Sequence, residues 1–207
     1  MSEIFKFQKA LEVQLSVLLE SNSDSKKKSS DFDLSRLKTS SKRKLTAAAV
    51  LLPIMFQKEG PEVVLTKRAK TLKHHAGQIA FPGGKVEEFD LSETQTAMRE
   101  SFEEVGLQRK GVKVLGMLPR HETLTGYLIS PFVGLISNPQ KLKPEASEVS
   151  EIFSVPLKFL LDKDNMQVKR YKLNGIERGY FVIPYGPYYI WGATARIIKS
   201  FSDLIGE

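Results

Sequence analysis

The chain has no cysteine, which excludes disulfides and thiolate metal sites and suits a reducing compartment. It has no run of about eighteen apolar residues, so no membrane-spanning helix is expected. The start, Met1-Ser2-Glu3-Ile4, lacks the charged opening and apolar core of a secretory signal. The end, Leu204-Ile205-Gly206-Glu207, is not the Ser-Lys-Leu peroxisomal address. Internal repeats are absent too. These absences point to a cytoplasmic protein. What remains, 207 residues with 41% hydrophobic content, is enough for one substantial core.

A net charge of +7 raises nucleic acid as a partner, but its distribution argues against one. Lys26, Lys27, Lys28, Lys42, Arg43 and Lys44 lie in a polar, Ser-rich stretch that has too little apolar surface to order itself. Residues 21–44 therefore read as a basic linker. Before it, residues 1–20 read as an amphipathic helix, with Phe7, Leu11, Leu15, Leu18 and Leu19 on one stripe for the domain or a partner. Beyond it, 45–207 read as one domain. Ala47–Phe56 and Glu62–Lys67 form an expected hairpin around Lys58-Glu59-Gly60-Pro61. Val112–Leu118 and Ile129–Ile136 read as strands, Pro156–Leu161 as a short helix, Gln167–Lys172 with Tyr180–Ile183 as a late hairpin, and Ala193–Leu204 as a terminal helix. Such a series packs naturally as a mixed sheet between helices.

The most informative segment runs from Phe81-Pro82-Gly83-Gly84 to Arg99-Glu100-Ser101-Phe102-Glu103-Glu104-Val105-Gly106-Leu107. Ser92-Glu93-Thr94-Gln95 has capping-box spacing and Gly106 suits a left-handed stop, so a helix lies between them. At about 100° per residue with Glu100 as origin, Glu104 falls near 40° and Glu103 near 300°. Met98, Phe102 and Val105 fall at about 140–200°, opposite the acids and facing the expected core. Three carboxylates so close repel unless a cation sits among them, and oxygen ligands suit hard divalent ions. A solvated acidic face is the plainer reading of a Glu-rich helix. The Gly-Gly turn and Arg99, four residues before Glu103 and able to orient it, weigh toward a site.

This segment resembles the Nudix box: a glycine, spacers around an acidic residue, then Arg-Glu-apolar-x-Glu-Glu-x-Gly-apolar. Ser101 replaces the usual apolar residue. The run from Gly84 to Arg99 is one residue longer than the common form, leaving Asp90, Glu88 and Glu87 as alternatives for the early acid. That spacing is similar to the coenzyme A pyrophosphatase branch. So are Leu65-Thr66-Lys67-Arg68, the run Leu72 to Gly84, Gly126-Tyr127-Leu128-Ile129-Ser130-Pro131-Phe132, Glu148 to Leu157, and Ile190-Trp191-Gly192-Ala193-Thr194-Ala195-Arg196. The resemblance covers about Leu45 to the C-terminus and implies an α/β fold, the Nudix α/β/α sandwich with a mixed β-sheet.

It also implies an activity: metal-dependent hydrolysis of the diphosphate of coenzyme A or its derivatives, giving 4'-phosphopantetheine and adenosine 3',5'-bisphosphate. Glu100, Glu103 and Glu104, with the Gly83 carbonyl, match the box's ligands for Mg²⁺ or Mn²⁺, and Arg99 would orient them. A carboxylate from outside the helix often serves as base, and Glu148 or Glu151 stands where one could be delivered; a surface acidic pair is the alternative. Lys67, Arg68, Lys70 and Lys73 flank the Gly-Gly turn and could meet phosphates, including a 3'-phosphate. His75, Gly83 and Gly84 join Arg68 and Lys70 as substrate-binding candidates, while a solvated loop is the plain reading of His75. Gly126-Tyr127 lines a pocket or makes a turn. Phe81 and Trp191 read as core or loop anchors rather than base-stacking platforms. The rivals are a pyrophosphatase for ADP-ribose or a dinucleotide, and a catalytically silent nucleic-acid-binding module. The oligomeric state stays open.

Overall fold

The computed structural model describes residues 3–21, 28–34, 43–136, 140–173 and 175–206, with the side chains of 3–7, 21 and 173 left aside. In chain order the elements are α1 (Glu3–Ser21), β1 (Ser29–Ser30), β2 (Thr46–Gln57), β3 (Gly60–Arg68), β4 (Ile79–Ala80), β5 (Gly83–Lys85) and α2 (Glu93–Val105). Then follow β6 (Val112–Met117), β7 (His121–Glu122), β8 (Tyr127–Ile136), β9 (Val149–Pro156), α3 (Leu157–Leu161), β10 (Gln167–Leu173), β11 (Ile176–Tyr185), β12 (Tyr188–Trp191) and α4 (Gly192–Ile205).

The main sheet runs β1-β7-β8-β2-β3-β4, with β5 paired to β2, β6 to β8 and β9 to β3. It is mixed, since β2 lies parallel to β8 and antiparallel to β3. Alternation along β2 divides the core: Ala49, Leu51 and Met55 join Ala97, Met98 and Val105 of α2 on one face. Leu52 and Ile54 join Leu15 and Leu19 of α1, Leu157 and Leu160 of α3, and Ile197, Ile198 and Phe201 of α4 on the other. The result is the expected α/β/α sandwich. A second sheet, β10-β11-β12, packs beside α4.

Two expectations are resolved by packing. The apolar stripe of α1 docks on the domain itself: Leu15 and Leu19 are fully buried, and Leu19 lies so close to Gly116 of β6 that a β-carbon there would overlap it. The stretch read as a linker contains folded residues. β1 pairs in parallel with β7, Ser29 Oγ meets His121 Nδ1 at 2.9 Å, and Asp31 Oδ1 meets His121 Nε2 at 2.9 Å. Lys26, Lys27 and Lys42 lie outside the described residues, while Lys28, Arg43 and Lys44 are exposed. Phe81 is core. Trp191 is 38% exposed and meets Tyr180 edge-on, with centroids 5.5 Å apart, so it braces the outer sheet instead of filling the core.

Candidate active site

The site is built on α2. Ser92 caps it, its Oγ accepting from the Gln95 N–H at 3.2 Å, and Gln95 reaches back to the Leu91 N–H. Gly106, at φ 71°, donates to the Phe102 carbonyl, while the Leu107 N–H reaches the Ser101 carbonyl, closing the C-terminal turn. The helix is rolled from the orientation its apolar residues suggest. Phe102, placed on the core side by the sequence, is 52% exposed, whereas Ser101 and Glu104 are buried. The buried arc runs from about 320° to 160°, from Thr96 through Glu104, Ala97 and Ser101 to Met98. A small residue is needed where the helix meets β2, and Ser101 satisfies its hydroxyl by donating to the Ala97 carbonyl at 2.6 Å.

The Gly-Gly turn is a strand. Gly83 and Gly84 pair with Val50 and Ala49 of β2, and a side chain at Gly83 would strike backbone while one at Gly84 would displace Glu100. A β-carbon on Gly83 would overlap the Ala49 carbonyl, and one on Gly84 would overlap the Glu100 carboxylate. The absence of side chains lets α2 approach and turns Glu104 toward the backbone, where the Gly83 N–H donates to Glu104 Oε2 at 3.2 Å.

Arg99 is the hub. Its Nε and a terminal nitrogen donate to Asp90 at 3.1 and 2.8 Å, a two-pronged bond to a carboxylate with no solvent exposure. The same guanidinium reaches Glu100 at 2.7 Å, Glu103 at 3.0 Å and the Lys85 carbonyl at 3.2 Å. Arg99 hydrogen bonds, helped by the Glu87 N–H and the Thr96 hydroxyl, hold the Asp90 carboxyl far below the usual carboxylate range. Of the three early acids left open by spacing, Asp90 is the one in place.

Burial pushes the Glu104 carboxyl up to about 7, and the Glu100 and Glu148 carboxylates add to the rise against the Gly83 N–H and Arg68. Burial also raises Glu100, opposed by Arg99 and aided by Glu103 and Glu148. Glu148 therefore lies within electrostatic reach of both. Glu151 does not share that position: the Tyr188 hydroxyl donates to it at 2.5 Å, and Lys67 stands 4.0 Å away. A bulge separates the two acids. Lys67 pairs with Glu151 but Arg68 with Val149, leaving Ser150 extra with its hydroxyl on the Lys67 carbonyl at 3.0 Å. Arg68 reaches Glu104 at 3.6 Å.

A family model of the NUDIX domain matches residues 45–173. The chain belongs to the Nudix family. Nudix hydrolase NudL of Cronobacter sakazakii is 38% identical over 160 residues, 77% of this chain and 83% of that protein. NudL of Photorhabdus laumondii is 39% identical over 158 residues, 76% and 84% of the two chains. A MutT/nudix family protein from Enterococcus faecalis has the same fold, at TM-score 0.50 and 14% identity over 83% of this chain and 66% of that one. Nudix hydrolases act on nucleoside diphosphate derivatives and generally use divalent metal ions.

Among the described residues of this Nudix domain, no three Asp, Glu or His side chains converge as a ready metal cage. The reason is visible: Arg99 stands between Glu100 and Glu103, and Glu104 faces Gly83 and Arg68. The donor set nonetheless fits a hard cation, because Glu100 and Glu104 are both raised by burial and by nearby carboxylates, Glu103 and Glu148 acting on Glu100, and Glu100 and Glu148 on Glu104. Lys70 and His75 sit on an exposed loop closed by Gly77 N–H to the Arg68 carbonyl at 3.1 Å. His75 adopts φ 57°, with its ring 2.9 Å from Gln78. Tyr188, which holds Glu151, lay in no motif; it joins the site through tertiary packing, its ring stacked on Phe153. Gly126 makes a turn at φ 90°, and Tyr127 meets Lys85 at 6.0 Å. No described helix is long and apolar enough to cross a membrane.

Proposed function

We propose that this Nudix hydrolase cleaves the diphosphate of coenzyme A or a derivative, giving 4'-phosphopantetheine and adenosine 3',5'-bisphosphate in the cytoplasm. The observation that carries the reading is the convergence, at one end of the sheet, of segments distant in sequence. Lys67 and Arg68 of β3 pair with the Val149–Glu151 stretch of β9. Tyr188 of β12 binds Glu151, and the Thr194 hydroxyl of α4 donates to the Ile79 carbonyl at 3.0 Å. Apart from Tyr188, these residues lie in the segments that resemble the coenzyme A branch, and Arg68 among them reaches the α2 carboxylate Glu104.

Glu100, Glu103, Glu104 and the Gly83 carbonyl are the groups that would hold Mg²⁺ or Mn²⁺, whose bound chemistry is neutralisation of phosphate oxygens and acidification of a water. The chain's own part is positioning. Arg99, anchored on Asp90, fixes the directions of Glu100 and Glu103. Glu148 is favoured over Glu151 as the base, since Glu148 acts electrostatically on Glu100 and Glu104 while Glu151 accepts a hydrogen bond from the Tyr188 hydroxyl. It would take the proton of the attacking water as the P–O bond to the bridging oxygen breaks. Lys70 and His75, on the exposed loop, would meet the nucleotide, and Gly83 and Gly84 would let backbone approach the diphosphate.

The test is a turnover panel with Mg²⁺ or Mn²⁺ over coenzyme A, its 3'-dephospho form, ADP-ribose and dinucleotides. Coenzyme A should be preferred, and Lys70→Ala should slow coenzyme A more than its 3'-dephospho form. Faster cleavage of ADP-ribose or a dinucleotide would move the substrate assignment, and equal losses on both coenzymes would remove Lys70 from the 3'-phosphate.

A further inference from the structure

The Arg68 guanidinium makes no hydrogen bond to any other described residue. It stands 3.6 Å from Glu104 Oε1, an ion-pair distance but too long for a hydrogen bond. Its Nε is buried and has no partner among the described residues. A buried guanidinium N–H gains from an acceptor, so the site keeps a donor that an incoming anion can meet. The backbone around it is fixed: the Arg68 N–H donates to the Gln78 carbonyl at 2.9 Å, its carbonyl accepts from Gly77, and the β9 bulge lies alongside. The side chain is only 27% exposed, so its reach is short. It can serve Glu104 or a group that comes to lie beside Glu104.

Glu104 needs positive charge. Its side chain is 4% exposed, and the Glu100 carboxylate of the same helix and the Glu148 carboxylate just before β9 both act on it. Arg99 spends its bonds on Asp90, Lys85, Glu100 and Glu103. Arg68 is thus the one described cation in ion-pair contact with Glu104.

We propose that Arg68 is a built-in counter-ion for Glu104, competing with the divalent cation for that carboxylate and, once displaced, turning to the substrate's diphosphate. Resting on the metal-dependent reading above, the inference adds an exchange. Two positive groups on one carboxylate repel each other, so Arg68 loosens its hold as the divalent ion gains Glu104. The unpaired Nε and its neighbouring terminal nitrogen then form the planar fork that guanidinium offers to phosphate oxygens. Cation and substrate binding are thereby linked through one side chain.

The experiment measures Mn²⁺ binding by electron paramagnetic resonance without substrate, at pH 8.5 so that protons do not compete. It compares the unmodified protein, Arg68→Met and Arg68→Lys. Removing an opposing charge this close should tighten Mn²⁺ about tenfold in Arg68→Met, while Arg68→Lys stays near the unmodified value. With EDTA, Arg68→Met should melt at a lower temperature than the unmodified protein, and saturating Mn²⁺ should close the gap. Its KM for the diphosphate substrate should rise more than its kcat falls. Equal or weaker Mn²⁺ binding by folded Arg68→Met overturns the exchange, as does tightening by Arg68→Lys to the same degree. If Arg68→Met does not fold, Arg68→Gln takes its place under the same criteria. Unmodified protein that binds no Mn²⁺ overturns the metal reading beneath the inference, an outcome distinct from the others.

Discussion

Asp90 shows what one residue does in this site and why its role was half legible. The sequence offers three acids before α2, and nothing in spacing separates them. Only the folded loop shows that Asp90 points inward to the Arg99 guanidinium, while Glu87 contributes its N–H to Asp90 at 3.1 Å. Asp90→Asn should therefore lower hydrolysis about ten- to a hundredfold, the usual effect of removing a group that orients ligands. Glu87→Gln and Glu88→Gln should stay near the unmodified rate, and equal losses at all three would refute the assignment. Glu104 makes a prediction with a sign. Its carboxyl is raised from 4.5 to about 7 in the folded protein, so the folded state holds a proton that the unfolded chain releases. The stabilisation is fully present below about pH 4.5 and is lost as pH rises through about 7. With EDTA, stability should fall by roughly 2–4 kcal/mol over that window, and Glu104→Gln should flatten the slope in urea titrations at several pH values. Asp90 acts oppositely, its contribution being lost only as pH falls well into the acid range.

At the scale of elements, α2 and its strand β5 explain where sequence periodicity succeeded and where it failed. Both caps were readable because they depend on local bonds that Ser92, Gln95 and Gly106 make within the segment. The roll of the helix was not. Phe102 carries the larger apolar surface, yet α2 lays Glu100 against Gly84 and Glu104 against Gly83, which turns Ala97 and Ser101 inward and Phe102 out. Sheet geometry, not hydrophobicity, chose that face. Short strands such as β4, β5, β7 and β12 were likewise hidden, because segments this short show no alternation to read. Long strands β2, β3 and β8, with their β-branched runs, were plain. The two glycines should then fail differently. Gly84→Ala pushes against the Glu100 carboxylate, a movable side chain, and should reduce turnover with the melting temperature nearly unchanged. Gly83→Ala pushes against the backbone of β2 and should lower the melting temperature by several degrees, as a cost of roughly 1–3 kcal/mol implies. Thermal scans with parallel rate measurements separate them; identical behaviour of the two variants would contradict the packing described.

At the scale of the molecule, the sandwich makes one rigid corner from pieces of β3, β5, β9, β12 and α2, and α1 and β1 close the fold on the far side of the sheet and at its edge. The family was legible because Arg99, Glu100, Glu103 and Glu104 are adjacent in sequence. Tyr188 was not, since it meets Glu151 only after the sheets form, and the contacts of Arg68 with Glu104 and of Lys67 with Glu151 likewise exist only in the fold. Everything depends on the α2 carboxylates gathering cations to split a phosphoanhydride. The most direct measurement is coenzyme A hydrolysis at saturating Mn²⁺ by the double variant Glu103→Gln, Glu104→Gln, with circular dichroism to confirm the fold. The account predicts a rate at least about a thousandfold below the unmodified protein, the scale expected when metal charge stabilisation is lost. A folded double variant that turns over at the unmodified rate would contradict it.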